Sequence, residues 1–273
     1  MLGKRTLLIT LSTLSVTTVT LAGCSAPDPT PPRTPSVPAV QLTPELHHLH
    51  GLHINAQGTV LAGTHTGLFA IESTGNTERV GDSDDDLMGL TGVAGADTIV
   101  SSGHPGKSSS APNPLGLRNS TDGGRNWTAQ SLVGEVDFHA LTTDGTLLVG
   151  FDGTSGLIIS TDGGTTWASG AALPAASLAI TDTGVWAVTA DGLQRSTDTA
   201  ATFSVVPDAP ALTLLAAGPD NSLWGVDVDG NAWRSRDGQT WQKNSYVGDV
   251  EALTAADYDT AYAATAQKLY TLT

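Results

Sequence analysis

The chain has very little cysteine, few aromatic residues and few basic ones. Cys24 is the only cysteine, so no internal disulfide can form. No long stretch has a helical period, and 31 residues are glycine. Lysine and arginine total 12 against 27 aspartates and glutamates, which gives a formal net charge of −15. This balance argues against a nucleic-acid partner, which needs a basic surface, and against a polybasic hold on anionic lipid.

The N-terminal segment predicts export and a lipid anchor. Two basic residues precede an uncharged, largely apolar run over residues 6–20, and Leu21–Cys24 resembles a bacterial lipobox. The resemblance implies a signal peptide over residues 1–23 and acylation of Cys24, which would anchor the protein outside the cytoplasm on the bacterial cell membrane. The alternatives are an ordinary secretory signal with an incidental cysteine, and a transmembrane helix. The short run, rich in Thr and Ser, disfavours the helix.

A linker and one globular domain are expected to follow. Residues 24–38 contain six prolines, which favour an extended linker. Residues 39–273 are long for an average domain but ordinary for a single closed all-β domain.

One short motif recurs through this domain. Each copy contains a serine, an aspartate two residues later and a final aromatic residue, and most copies also contain glycine. The copies are Ser120–Trp127, Ser160–Trp167, Ser196–Phe203 and Ser235–Trp241. They begin 40, 36 and 39 residues apart, and such a period with four short strands per repeat predicts propeller blades. Ser and Asp side chains can accept hydrogen bonds from the turn, and glycine supplies its left-handed backbone.

The strand pattern predicts an all-β, six-bladed β-propeller. The blades are expected to begin near Leu49, Leu87, Phe138, Leu178, Leu212 and Val250. The second blade carries an insertion, Pro105–Pro114, and the sixth stops after its third strand. We expect Val37–Leu42 to supply the missing fourth strand, because closing the ring in this way removes the open sheet edges.

The repeated motif resembles the Asp-box, or BNR, repeat of sialidases and related propellers. In those folds the box occupies the hairpin between the two outer strands of a blade, away from the central channel. The resemblance therefore implies Asp-box hairpins with a structural role in this chain.

Most histidines are predicted to gather at one end of the channel. The innermost strands should all start at this end, and the loop after each second strand should return to it. His48 lies two residues before His50, so both are expected on the same side of their strand. The candidate residues at this end are His48, His50, His65, Met88, His104, His139, Asp152 and Glu251. The loops that lead to it are acidic and include residues 82–86 and 135–137.

Imidazoles, a thioether and carboxylates together suit a transition metal. Copper is predicted because Met88 is present, and zinc is the next candidate. Calcium could instead use the run Asp84–Asp86 without any histidine. The alternative is that these residues are unconnected and that water and neighbouring residues satisfy their hydrogen bonds.

Several segments resemble a family of short bacterial lipoproteins that are commonly labelled glycosyl hydrolases or exo-alpha-sialidases. The segments are His48–Leu52, Thr64–Phe69, Val80–Ser83, Met88–Leu90, Ser102–Pro105 and Asp137–Leu141. The resemblance implies a propeller and, as an alternative function, glycan hydrolysis. However, the Phe/Tyr-Arg-Ile-Pro motif that carries the first substrate-binding arginine of sialidases is absent. A glycosidase of another kind would need two carboxylates, such as Asp152 or Asp137 with Glu251.

Binding without catalysis is the function that these observations favour. Asp-box propellers also serve as assembly factors and peptide-binding modules, so an extracytoplasmic protein is a further possible partner. Such a face should show exposed aromatic residues or an arginine patch. The sequence therefore predicts a lipid-anchored binding module with copper or zinc at the channel, with sialidase-like hydrolysis and protein binding as alternatives.

Overall fold

The computed structural model describes residues 33–273. The predicted signal peptide, the acylation of Cys24 and the first part of the predicted linker lie outside these residues. Within the described part, no helix has the length and apolar character needed to cross a bilayer.

Residues 33–273 form six four-stranded antiparallel sheets, which confirms the predicted all-β, six-bladed propeller. Strand β1 (Ala39–Gln41) precedes blade 1, which contains β2 (Leu49–Ile54), β3 (Val60–Thr64), β4 (Gly67–Ile71) and β5 (Thr77–Val80). Blade 2 contains β6 (Thr91–Gly92), β7 (Ile99–Ser101), β8 (Leu117–Ser120) and β9 (Thr128–Ser131). Blade 3 contains β10 (Ala140–Thr143), β11 (Leu148–Phe151), β12 (Leu157–Ser160) and β13 (Ala168–Ser169).

The second half of the ring follows the same order. Blade 4 contains β14 (Ser177–Thr181), β15 (Gly184–Thr189), β16 (Gly192–Ser196) and β17 (Ser204–Val205). Blade 5 contains β18 (Leu212–Ala217), β19 (Leu223–Asp227), β20 (Asn231–Ser235) and β21 (Gln242–Tyr246). Blade 6 contains β22 (Ala252–Ala255), β23 (Ala261–Ala264) and β24 (Lys268–Leu272).

The fourth strand of blade 6 comes from the other end of the domain. Strand β1 pairs with β24 in antiparallel register, with Val40 opposite Leu269. Leu42, which is 1% exposed, follows β1 and packs with Leu46 and Leu269 in one buried cluster. Every strand pairing of the ring therefore lies within residues 39–272.

The recurring Ser-x-Asp motif forms the hairpin between the third and fourth strands of its blade. In blade 2, the Ser120 hydroxyl donates to Asp122 Oδ1 at 2.8 Å and accepts from the Gly124 amide at 2.8 Å. Asp122 Oδ1 also accepts from the Asn126 amide at 3.0 Å. The serines of the other copies, Ser160, Ser196 and Ser235, make the corresponding bonds. The polar side chains of the motif thus satisfy the backbone of their own turn.

The same hairpin packs neighbouring blades together. Gly124 has a left-handed φ of 85°, and a Cβ at this position would lie 2.1 Å from Leu68 Cδ2 of blade 1. Trp127 packs against the same cluster, which includes Leu61 and Leu68. Ala200 takes the corresponding place in blade 4 with a φ of 64°, fully buried.

Candidate metal centre

The innermost strands of the six blades surround a cavity of about 500 Å³. His50, His139 and Glu251 line it at the end where these strands begin, which we call the histidine mouth. Asp144 and Asp182 line the opposite end. Among the described residues, no lysine or arginine lines this cavity.

Three histidines meet at the histidine mouth and form what we call the first cluster. His48, His50 and His65 each offer a ring nitrogen, and these atoms lie within 4.8 Å of one another. His50 Nε2 lies 3.4 Å from His65 Nδ1, and the two ring centroids are 4.5 Å apart. Such an arrangement presents several nitrogen donors to one point.

An irregular stretch of backbone brings these three histidines together. Strand β2 begins at Leu49, and its pairing with β3 shifts register between Leu49 and Gly51. His48 precedes the strand with a left-handed φ of 26°, so strand alternation, on which the sequence argument relied, does not bring its ring to His50. His65 follows β3 in a turn where the buried Thr64 hydroxyl donates to the Gly67 carbonyl.

Asp86 is the carboxylate of the first cluster. Its Oδ2 lies 2.7 Å from His65 Nδ1, and its Oδ1 lies 3.1 Å from His50 Nε2. Oδ1 is buried, and it faces the His50 ring across this contact. From the sequence, Asp86 was expected only as part of the acidic run considered for calcium, because nothing in that run distinguishes it from its neighbours.

The three carboxylates of the acidic run, which the sequence offered to calcium, point to different partners. Asp84 accepts hydrogen bonds from Ser108 in the insertion. Asp85, with only 5% of its side chain exposed, pairs with Arg118 and accepts from the Gly106 amide. Only Asp86 turns to the histidines.

His104, Asp137 and His139 form a second cluster. Asp137 Oδ2 lies 3.3 Å from His104 Nε2 and 3.4 Å from His139 Nε2. Asp137 Oδ1 is buried without a hydrogen-bond partner. The single converging set predicted from the sequence is therefore divided into two clusters, each built on a carboxylate that was not among the predicted copper or zinc ligands.

The three other candidates have different surroundings. Glu251 joins the first cluster at its edge, because its Oε2 lies 3.1 Å from His48 Nδ1, while it also accepts from the amides of Leu49 and Ala266. The Met88 carbonyl accepts hydrogen bonds from the Ser101 hydroxyl and from the Ser102 amide.

Asp152 serves its own loop. Its Oδ1 accepts from the amides of Thr154 and Ser155 at 2.9 and 3.1 Å. Burial raises the pKa of Asp152, but these hydrogen bonds outweigh burial and lower the pKa to about 2. Asp152 thus closes a turn beside His139, where a Cβ at Gly153 would lie 3.8 Å from the imidazole.

The remaining histidines lie outside both clusters. His53 is 4% exposed, and its Nε2 lies 2.7 Å from the Ala96 carbonyl, so it is a buried, hydrogen-bonded side chain. His47 is exposed.

Burial favours neutral His50. It lowers the pKa of His50 to about 4, with Asp86 acting to raise it and His65 and His48 acting to lower it further. A neutral imidazole keeps a lone pair on one ring nitrogen, which a metal ligand requires.

Three arginines on the third or fourth strands of their blades have structural partners. Arg79 donates to the carbonyls of Thr66 and Ser83, and Arg195 donates to the Thr183 carbonyl. Arg118 is committed to Asp85. The described channel wall thus lacks the group of arginines that a sialidase uses to grip a substrate carboxylate.

Comparisons with known proteins agree on the architecture and differ in function. The profile of the DUF6242 beta propeller domain family matches residues 176–273, which correspond to blades 4 to 6. No curated protein matches the sequence significantly.

The solved structures that resemble the chain are distant in sequence. A gluconolactonase from Xanthomonas campestris is 13% identical with a TM-score of 0.63, and the match covers 90% of this chain and 97% of that one. Virginiamycin B lyase from Staphylococcus aureus is 15% identical with a TM-score of 0.56, over 88% and 99%. YCF48 bound to D1 peptide is 14% identical with a TM-score of 0.54, over 85% and 96%. At such identities the likeness concerns the fold alone, and the chain is a six-bladed β-propeller.

Proposed function

We propose that this propeller is a metal-binding module. In this proposal His48, His50, His65 and Asp86 hold a divalent transition-metal ion at the histidine mouth. The observation that carries the proposal is the meeting of three imidazole nitrogens within 4.8 Å of one another. Imidazole nitrogen and carboxylate oxygen are donors that suit zinc and copper(II).

The distances support a first-row ion. Tetrahedral zinc, with bonds of about 2.0–2.1 Å, holds neighbouring ligand atoms about 3.3 Å apart. The 3.4 Å between His50 Nε2 and His65 Nδ1 and the 3.1 Å between His50 Nε2 and Asp86 Oδ1 are close to this spacing. A cation would also compensate the negative charge of Asp86, whose Oδ1 is buried.

Zinc becomes the first candidate in place of copper. The preference for copper depended on the thioether of Met88, whereas the contacts described for Met88 involve its backbone carbonyl. Three nitrogens and one oxygen form a donor set that zinc accepts without a sulfur ligand. When bound, such an ion supplies a Lewis acid at the channel mouth.

We propose that the protein carries this site outside the cytoplasm. The support is the lipobox resemblance at Leu21–Cys24 and the proline-rich stretch that separates Cys24 from β1. A lipid on Cys24, together with a second acyl chain, would give a stable hold on the membrane.

Metal titration tests the proposal. The protein without residues 1–24 and without a histidine tag is titrated calorimetrically with Zn²⁺ and separately with Cu²⁺. We expect stoichiometric binding and a loss of affinity of at least about 100-fold in the double variant His50→Ala/His65→Ala. The matched control is His47→Ala, which removes an exposed histidine three residues from His50 and should bind like the parent protein. The proposal is overturned if neither ion binds more tightly than a Kd of about 10⁻⁴ M, an affinity in the range of extracellular calcium modules.

A further inference from the structure

We infer that a ligand site lies between blades 1 and 2, and that it binds a small zwitterion with an apolar group, of the class of the apolar amino acids. The turns that follow β2 and β6 and the hairpin that follows β8 meet there, at the end of the propeller opposite the histidine mouth. They enclose a cavity of about 290 Å³, which we call the blade 1–2 cleft. The cleft shares no residue with either histidine cluster, so this inference goes beyond the proposed function. The residues that carry it are Leu61, Ala70, Val80, Asp97, Gly123 and Arg125.

The floor of the cleft is apolar. Leu61, which is 2% exposed, belongs to the buried cluster between blades 1 and 2. Ala70 and Val80 pack against this cluster but are only partly buried. An apolar group in the cleft would cover their exposed parts, which favours binding because apolar surface is removed from water. Ligand pockets begin at about 300 Å³, so the cleft suits a molecule of about the size of an amino acid.

Two opposite charges border the same empty space. A Cβ at Gly123 would lie 3.5 Å from Arg125 Nη1 and 3.7 Å from Asp97 Oδ1. Within residues 33–273, neither Asp97 nor Arg125 takes part in an ion pair. The Asp97 carboxylate accepts hydrogen bonds from the Ala56 amide at 3.2 Å and from the Gln57 side chain at 3.3 Å, and both of these donors are neutral. The cleft thus offers one unpaired charge of each sign beside an apolar floor.

Blade 3 shows that the fold does not need the charge of Asp97. The Gly123 amide donates to the Asp97 carbonyl at 3.0 Å, and in blade 3 the Gly163 amide donates to the Thr146 carbonyl at 2.9 Å. The two glycines occupy the same place in their hairpins, so Thr146 is the counterpart of Asp97. The contact between turn and hairpin is made by backbone atoms, and it forms equally well with an uncharged side chain.

The same comparison applies to Arg125. Its Nη1 donates to the Asp122 carbonyl at 2.7 Å, and in blade 3 the Thr165 hydroxyl donates to the corresponding carbonyl, that of Asp162, at 3.1 Å. Threonine therefore supplies the hairpin bond without a charge. An arginine also has further N–H groups, which remain for a ligand.

An apolar amino acid matches all three features of the cleft. Its carboxylate can accept two parallel hydrogen bonds from the Arg125 guanidinium, and its ammonium group can donate to Asp97. Its side chain then covers Ala70 and Val80. A ligand with only one of the two charges would leave either Asp97 or Arg125 without a partner.

Titration with L-leucine, followed by NMR, tests this inference. The protein without residues 1–24 is used with EDTA present, because an amino acid would otherwise chelate zinc. We expect saturable shifts of the Ala56 and Gly123 amides with a Kd of about 1 mM or tighter. Asp97→Thr and Arg125→Thr should each weaken binding about 10-fold or more, because each removes a charge-assisted hydrogen bond. Both variants copy the residues of blade 3, and thermal unfolding checks that they are folded.

Two control variants separate the cleft from the rest of the channel. Asp182→Asn removes a carboxylate from the same end of the channel, and His50→Ala/His65→Ala removes two histidines from the mouth. Both should bind L-leucine like the parent protein. The inference is overturned if no saturable binding occurs below about 10 mM, or if either threonine variant binds as tightly as the parent. Equal binding of N-acetyl-L-leucine amide, which lacks both charges, would also overturn it. The zinc titration is unaffected by any of these results, so the proposed function would remain.

Discussion

Asp86 and His104 exchange two backbone hydrogen bonds, with N···O distances of 2.9 and 3.1 Å in the two directions. This pair joins the two histidine clusters, because the Asp86 side chain faces His65 and the His104 side chain faces Asp137. Since backbone atoms make the connection, substituting either side chain leaves it in place. Side-chain substitutions can therefore test the proposed metal site with little effect on the fold.

Replacing Asp86 with asparagine should weaken zinc binding without unfolding the protein. Asp86→Asn removes the negative charge beside His50 and His65, and we expect the affinity of the proposed metal site to fall at least about 10-fold. Calorimetric titration gives the affinity, and thermal unfolding of the metal-free protein checks the fold. Asp84→Asn is the control, because Asp84 bonds to Ser108 and not to a histidine. Equal effects of the two substitutions would argue against a role for Asp86 as a ligand.

The buried ion pair of Asp85 and Arg118 should be important for stability. Asp85→Asn leaves the Arg118 charge, 15% exposed, without its partner, and breaking such a pair costs about 3 kcal/mol. Urea unfolding measures the loss in the free energy of unfolding. Asp259→Asn provides the comparison: its carboxylate is 77% exposed and pairs with Arg234, so removing it should cost less than about 1 kcal/mol. A similar cost for both variants would contradict the prediction.

Substitutions at two adjacent glycines of one hairpin should measure the energetic costs of backbone strain and of close packing separately. Gly123 and Gly124 have left-handed φ values of 71° and 85°, so alanine at either position is strained by about 1–2 kcal/mol. Only at Gly124 would the new Cβ meet a neighbour closely, 2.1 Å from Leu68 Cδ2. We expect Gly124→Ala to destabilise the protein by a further 1–3 kcal/mol or so relative to Gly123→Ala, as judged by chemical denaturation. If both variants were equally stable, the close contact between blades would have no energetic weight.

The hairpin aspartates should make stability dependent on acid. Hydrogen bonds from the Thr166 amide, the Thr166 hydroxyl and Ser160 lower the pKa of Asp162 to about 2. The unfolded-state pKa is about 3.9, so the stabilisation is complete above roughly pH 5 and is lost as the pH falls towards 2. Asp162→Asn, which removes the titratable charge, should lower the melting temperature at pH 7. The difference from the parent protein should shrink between pH 4 and pH 2, and a difference independent of pH would refute this explanation.

The features of the fold that repeat along the chain could be predicted from the sequence. The recurring serine and aspartate marked four hairpins, and the short final blade pointed to a strand from residues 37–42, where β1 lies. His50 and His139 were expected at the end of the channel where the innermost strands start. Both line the channel at that end.

The partners of the histidines could not be predicted, because irregular loops supply them. Asp84, Asp85 and Asp86 are identical in type and adjacent, yet each faces a different group. Their directions depend on the insertion and on Arg118, which are distant in sequence. Asp137 precedes β10 in a similar loop and was considered only as part of an acidic loop and as one carboxylate of a possible glycosidase pair. The division into two clusters thus depends on loop conformation, which strand periodicity does not reveal.

The pairing of β1 with β24 has a consequence for the order of folding. Ala39 pairs with Tyr270, so nearly the whole domain separates the two strands that complete blade 6. Blades 1 to 5 each draw their four strands from neighbouring sequence and can form as the chain is synthesised. The ring cannot close until the final strand has emerged, and until then β1 lacks its partner while an open edge remains that other chains could join. Completion of the last blade is therefore the step at which a folding chain becomes protected from aggregation.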